Sequence, residues 1–276
     1  MHSSKQPKAS LADQADRHDL YQQSVQDPEG EVDFICETWE KLRSRHPVFL
    51  REDFCGTALT ACEWIRRHSD HVAIGIDLDP AVLAWGTQHN LATLEPSQQE
   101  RIELLRDDVL TTMPGAADIV LAMNFSYFLF RERAVLRQYF ANVYRGLEDD
   151  GIFFLDAYGG HEAPMVLTEP REYDGFTYIW DQSTFNPIDS RMTCLIHFEF
   201  PDASRLDSAF VYDWRLWTLP ELTELLTEVG FAQVDVYWEG TDEESGEGNG
   251  IYAPTLVGDA DPGWVCYIVA QKQAVA

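Results

Sequence analysis

Glu52-Asp53-Phe54-Cys55-Gly56-Thr57-Ala58 stands where a short apolar run, Val48-Phe49-Leu50, gives way to a helical pattern. Small residues at such a strand-to-helix turn let the backbone approach a ligand, and the helix N-terminus beyond it favours negative charge. A dinucleotide fingerprint wants three glycines here, and only Gly56 is present. Asp77 closes the next apolar run, in Gly75-Ile76-Asp77-Leu78-Asp79-Pro80, where a carboxylate can accept both hydroxyls of a ribose. Asp108 follows the third, in Arg106-Asp107-Asp108-Val109, where a carboxylate beside a backbone N–H can read an adenine edge. Three successive strand ends therefore suit one adenosine. The fourth run ends in Met123-Asn124-Phe125-Ser126-Tyr127, and the fifth leads to Tyr158 and His161. Asn124, Tyr127, Tyr158 and His161 are thus the groups offered for orienting or deprotonating a second reactant.

These residues need a scaffold that brings strand ends together. Strands are predicted at Val48–Leu50, Val72–Ile76, Ile102–Leu105, Ile119–Met123 and Ile152–Leu155, with helices at Leu59–His68, after Pro80, and between the fourth and fifth strands. Strands alternating with helices at this spacing predict a parallel sheet covered on both faces. The rhythm changes after Asp156. Phe176–Trp180, Met192–Phe200 and Phe210–Trp217 are aromatic and β-branched, with turns at Asn186–Asp189 and Asp202–Ser204, which predicts a three-stranded antiparallel insertion. A helix at Pro220–Val229 leads to a sixth strand, Val234–Trp238, and Trp264–Ala270 is the seventh. The Gly-rich, acidic segment between them, Glu239–Gly263, reads as a long loop. Ahead of the sheet, Leu20–Leu42 carries a helical face broken by Asp27-Pro28.

The composition limits the partners. Twenty basic against 47 acidic residues give a formal charge of −27, which repels nucleic-acid phosphates and anionic lipid. No apolar run is long enough to span a membrane, and the amino terminus lacks a signal peptide's apolar core, so a cytoplasmic protein is expected. Five scattered cysteines without a CxxC pair predict reduced thiols and no zinc site. Cys55 and Cys62 read as small core residues.

In order and spacing, these motifs resemble the class I S-adenosylmethionine-dependent methyltransferases. Their pattern runs from an acidic residue through two positions to Cys-Gly-Thr-Gly, then Gly-x-Asp, then Asp-Ala or Asp-Val. The resemblance extends from about Phe49 to Asp156 and more loosely to Ala270. Arg51–Ala58, reading Arg-Glu-Asp-Phe-Cys-Gly-Thr-Ala, is similar to a bacterial subgroup. Phe54 and Ala58 stand where the family has glycines. The resemblance implies a Rossmann-like seven-stranded sheet and S-adenosylmethionine as cofactor. Glu52 would approach the amino group of the methionine part, although Asp53 beside it could take that role in a shifted register. Gly56 would let the backbone pass, Asp77 would bind ribose, and Asp108 with the Val109 backbone would hold adenine. Cys55, Thr57, Leu78 and Asn124 complete the implied cofactor contacts.

The Asn124 segment resembles the loop of small-molecule N-methyltransferases more than the Asn-Pro-Pro-Tyr/Phe loop of nucleobase enzymes. The insertion resembles the substrate cover of enzymes of the glycine N-methyltransferase type. The expected layout is a flexible terminus (1–19), a helical lid (20–46), a cofactor-binding core (47–157), an insertion serving as substrate lid (158–218) and a returning core segment (219–276) with the acidic loop at 239–263. The expected activity is methyl transfer to a small molecule at an amine nitrogen. Methylation of a protein side chain, or cofactor binding without transfer, are the alternatives. Such a displacement needs alignment and exclusion of water, and no metal. A cationic acceptor would suit the acidic surface and Trp180, Trp214 and Trp217. The insertion could equally be a homo-oligomer interface.

Overall fold

The computed structural model describes residues 9–242, 245–246 and 248–273. The described residues divide into two compact units, one drawn from 27–163 and 217–273, the other from 9–26 and 164–216.

The larger unit is built on strands β1 (Phe49–Asp53), β2 (Val72–Asp77), β3 (Ile102–Arg106), β4 (Ala117–Ala122) and β5 (Leu147–Gly159). With them lie the helices α3 (Pro28–Leu42), α4 (Leu59–Arg67), α5 (Pro80–His89), the short α6 (Pro96–Gln99), α7 (Arg133–Arg145) and α8 (Leu219–Val229). The smaller unit contributes α1 (Leu11–Gln14), α2 (Arg17–Ser24) and β6 to β9, at Leu167–Tyr173, Phe176–Asn186, Arg191–Glu199 and Arg205–Arg215. Strands β10 (Gln233–Thr241), β11 (Gly248–Pro254) and β12 (Trp264–Gln271) return to the larger unit.

The large sheet has the order β11-β10-β12-β5-β4-β1-β2-β3. From β5 to β3 every pairing is parallel, so the carboxyl ends of five strands share one edge. Strand β12 runs antiparallel to both β5 and β10. The order reverses at β1, which lies between β4 and β2, and open sheets of this kind bind ligands beyond the carboxyl ends at that reversal. The sheet has eight strands where seven were expected, because the segment expected to be a long loop holds β11.

Consecutive residues of a strand face opposite sides, and β5 shows what covers each. Phe154 joins the core cluster of Val32, Ile35 and Trp39 from α3 and Ala61, Cys62 and Ile65 from α4. Phe153 meets the rings of Tyr139 and Phe140 from α7. The helices start where the sequence supplies caps. Asp27 accepts from the Gly30 N–H ahead of Pro28, and Asp79 accepts from the Ala81 N–H ahead of Pro80. Thr218 and Glu221 form a capping box on α8, which ends at Gly230 with φ of 120°.

In the smaller unit the antiparallel sheet has four strands, β6-β7-β8-β9, not three. Helix α2 places Leu20 on a cluster of Phe176, Tyr178, Ile196 and Phe198. The segment expected to fray is helical from Leu11, where Ser10 caps α1 and the Leu11 N–H donates to Asp202 at 2.9 Å. Residues 1–8, and Glu243, Glu244 and Glu247 of the acidic loop, lie outside the described residues.

Candidate active site

The turn after β1 folds through three left-handed residues, Phe54 (φ 57°), Gly56 (φ 54°) and Ala58 (φ 57°). Phe54 and Ala58 hold a conformation that disfavours an L side chain by about 1–2 kcal/mol. Packing offsets that strain. The Phe54 ring sits 5.5 Å from Tyr139 and 5.8 Å from Phe130, and Ala58 is fully buried. Only Gly56 faces open space, since a Cβ built on it would meet no atom within 4 Å. Behind the turn, a Cβ on Gly86 would fall 2.4 Å from the Thr57 carbonyl, so α5 approaches the turn as closely as it does because residue 86 is glycine. Asn90 Nδ2 donates to the same carbonyl at 2.9 Å.

Asp77 ties this turn to the end of β2. Its Oδ2 accepts the Gly56 N–H at 3.0 Å and its Oδ1 accepts the Asp79 N–H at 2.9 Å. Burial raises its pKa against the lowering effect of these two bonds. Leu78 beside it is a large apolar side chain left 63% exposed. After β3, Asp108 is half-buried and accepts the Leu110 N–H at 2.9 Å, while Val109 is buried. Cys55 and Thr57 are also buried, and burial pushes the Cys55 thiol well above its ordinary pKa.

Glu52 and Asp53 point to opposite faces. Asp53 is fully enclosed on the α7 side, paired with Arg51 at 2.7 Å and accepting the Tyr139 hydroxyl at 2.9 Å. Glu52 turns to α4 and accepts the Ala61 N–H at 2.9 Å, capping a helix whose own N-cap residue, Ala58, has no side chain able to do so. Thr60, one residue earlier in that helix, donates to Glu31 of α3 at 2.9 Å. Both glutamates are buried, and burial lifts each pKa to about 8, with the other acids adding to the effect. Glu31 feels Asp156 and Asp27; Glu52 feels Glu31, Asp77 and Asp53.

Glu31 was not among the residues singled out from sequence. A glutamate in the first turn of a helix is what the helix dipole favours anywhere, so its position carried no separate signal. Asp156 likewise served in the sequence only to mark where the strand–helix rhythm changes. It organises the turn after β4: its two carboxylate oxygens accept the N–H groups of Asn124 (2.7 Å) and Phe125 (2.8 Å). Those two residues are consecutive left-handed residues, at φ 58° and 55°. Burial raises the Asp156 pKa to about 7.

The candidates for the second reactant separate. Asn124 and Tyr158 are half-buried at the carboxyl ends of the adjacent strands β4 and β5, and Tyr158 packs on Phe125 at 4.8 Å and on Phe128 at 5.7 Å. Tyr127 is instead fully buried, its hydroxyl donating to the Asp156 backbone carbonyl at 2.6 Å, so its phenol faces the core. His161 is exposed in the segment after β5. Trp217 is buried in the larger unit and Trp214 in the smaller. Trp180 is half-buried, 6.1 Å from Trp214 and 6.2 Å from Tyr212.

No family model and no curated protein matches the chain by sequence. Solved structures do match. An S-adenosylmethionine-dependent methyltransferase from Clostridium acetobutylicum superposes with a TM-score of 0.65 at 14% identity, over 92% of this chain and 96% of that one. The S-adenosylmethionine-bound amino pentose methyltransferase of Micromonospora echinaspora gives 0.64 at 16% identity, over 93% and 96%. A sugar N-methyltransferase from a Streptoalloteichus species gives 0.60 at 15% identity, over 99% and 98%. The fold is that of the S-adenosylmethionine-dependent methyltransferases. Gly56, Asp77 and Asn124 all lie at the carboxyl-terminal edge of the parallel strands. Among the described residues, no helix is long and apolar enough to cross a membrane.

Proposed function

We propose that the protein binds S-adenosylmethionine over the β1 turn and transfers its methyl group to an amine nitrogen of a small molecule. The observation that carries this reading is a set of four carboxylates on one edge of the sheet. Glu31, Glu52, Asp77 and Asp156 are each raised in pKa, chiefly by burial, and neighbouring acids add to the effect at Glu31, Glu52 and Asp77. Carboxylates desolvated in this way suit a cationic ligand, which restores their charge on binding. S-adenosylmethionine carries both a sulfonium and an ammonium group, and its sulfonium makes the methyl group transferable.

Each residue then has a task. The Gly56 backbone leaves room for the ligand, Asp77 accepts ribose hydroxyls with the lone pairs its two backbone bonds leave over, and Leu78 offers apolar surface to the adenine. Asp108 and the Val109 N–H read the adenine edge. Glu52 and Glu31 face the ammonium group. Cys55 and Thr57 hold the turn from below. At the other end, Asp156 fixes the Asn124 turn, so that Asn124 and Tyr158 orient the acceptor and keep its lone pair directed at the transferred carbon.

The test is to incubate the protein with methyl-labelled S-adenosylmethionine and a panel of amines that includes amino sugars, alcohols of the same skeletons, and unstructured basic peptides. Label should pass to the amines alone. Transfer confined to the peptides would replace the small-molecule reading with protein methylation.

A further inference from the structure

Three histidines gather at the opposite, amino-terminal edge of the large sheet. His46 lies three positions before β1, His68 is the C-cap of α4, and His71 immediately precedes β2. One ring nitrogen from each lies within 4.8 Å of the other two. None of them has a part in the proposed methyl transfer.

His71 is built like a ligand. It is buried, stacked on the Trp64 indole at 3.6 Å with an interplanar angle of 2°. Its Nδ1 lies 2.7 Å from the Trp64 carbonyl oxygen, which can only accept, so Nδ1 carries the proton and Nε2 presents a lone pair. A backbone carbonyl fixing the tautomer in this way is the usual outer partner of a metal-bound histidine. The lone pair is aimed at His46 Nε2, 3.0 Å away, with the two rings nearly parallel at 7°. Two nitrogens sharing one tetrahedral zinc ion at 2.0–2.1 Å stand about 3.3 Å apart. The pair is therefore close to the spacing that a common ion requires.

We propose that His46, His68 and His71 bind one divalent transition ion of the zinc, nickel or copper(II) class, with water completing the coordination, as a clip joining the segments before β1 and β2 to the end of α4. The all-imidazole donor set selects such ions over magnesium or calcium. Two exposed rings adjust on binding. His46 carries its proton on Nδ1 instead of Nε2, and His68 exchanges the bond its Nδ1 accepts from the Asp70 N–H, at 3.1 Å, for the metal. Arg101 donates to the His68 and His71 carbonyls and brings positive charge to the neighbourhood, which keeps the affinity moderate. The clip is structural, since Gly56 and Asp77 lie at the other end of the same strands.

The experiment uses the full chain without an affinity tag. Zinc is titrated in competition with a chromophoric chelator, and copper(II) binding is followed by electron paramagnetic resonance. One ion should bind per chain with micromolar or tighter affinity, nitrogen hyperfine structure should appear, and zinc should raise the melting temperature. His46→Ala, at an exposed position that preserves the fold, should weaken binding by about tenfold or more, and His68→Ala by less. Affinity unchanged in His46→Ala, or a copper spectrum showing oxygen ligands only, would place the ion on the acidic surface and overturn the proposal. Absence of zinc binding in the micromolar range would do the same and leave His46 and His71 as a plain hydrogen-bonded pair.

Discussion

The Gly56 N–H donates to the Asp77 carboxylate at 3.0 Å across 21 positions of sequence, so the turn after β1 and the end of β2 are one hydrogen-bonded unit. The consequence is that Asp77 has a structural task as well as its proposed ligand task. Asp77→Ala removes both and leaves the Gly56 and Asp79 amides without their acceptor, at about 1–3 kcal/mol. Asp77→Asn keeps an acceptor oxygen and removes the charge. Urea unfolding should therefore show a clear loss of stability for the alanine variant and a much smaller one for the asparagine variant.

The raised carboxylates make stability depend on pH in a stated direction. Glu31 and Glu52 titrate near 8 in the folded protein and Asp156 near 7, all above their unfolded values. Between those limits the native state holds protons that the unfolded chain has released, so the ligand-free protein loses stability as pH rises from about 5 to 8. The slope approaches about 1.4 kcal/mol per pH unit for each group between its unfolded and folded pKa. Glu31→Gln, which still accepts from Thr60, should flatten the decline in melting temperature over that range. A variant profile parallel to the wild type would remove Glu31 from the account.

A cation arriving at these acids expels their protons. Titration with S-adenosylhomocysteine near neutral pH, in buffers of different ionisation enthalpy, should reveal net proton release that shrinks in Glu52→Gln. Heats independent of the buffer would mean that the ligand's ammonium group does not meet Glu52 and Glu31.

Asp156 holds Asn124 and Phe125 in the left-handed region, and the two roles of that turn can be separated. Asp156→Asn presents an NH2 group to one of two amides and should cost about 1–3 kcal/mol. Asn124→Gly suits φ of 58° and should leave stability within about 0.5 kcal/mol while methyl transfer falls sharply. Full activity in Asn124→Gly would show that the backbone of the turn, and not the Asn124 side chain, serves the acceptor.

Two tyrosines that the sequence offered for the same task should behave oppositely. Tyr127→Phe loses a buried hydrogen bond to the Asp156 carbonyl, worth about 1 kcal/mol, and should retain its kcat. Tyr158→Phe should keep stability and lose kcat. The reverse pattern in steady-state kinetics would restore Tyr127 to the acceptor site.

The parallel core was legible because its punctuation has local causes. Asp79-Pro80 and Asp27-Pro28 start helices through a cap and a proline, Asp77 ends β2, and Asp108 follows two residues after β3. The strands that escaped notice are both at sheet edges. Strand β6 carries Pro170 and is mostly exposed, and β11 reads Gly-Asn-Gly-Ile-Tyr-Ala-Pro, so neither shows the apolar alternation of a half-buried strand. The site divides on the same principle. Residues placed by a turn were visible. Glu31, Asp156 and the inward rotation of Tyr127 depend on which face of a strand or helix meets which neighbour, and that is settled only in three dimensions.

The most direct test is calorimetric titration of the wild-type protein and Asp77→Asn with S-adenosylhomocysteine. The account predicts one site per chain with micromolar or tighter affinity, weakened about tenfold or more in the folded variant, as expected for loss of a charge-assisted hydrogen bond. No binding to the wild type, or equal binding by the two proteins, would contradict the assignment of this sheet edge to S-adenosylmethionine.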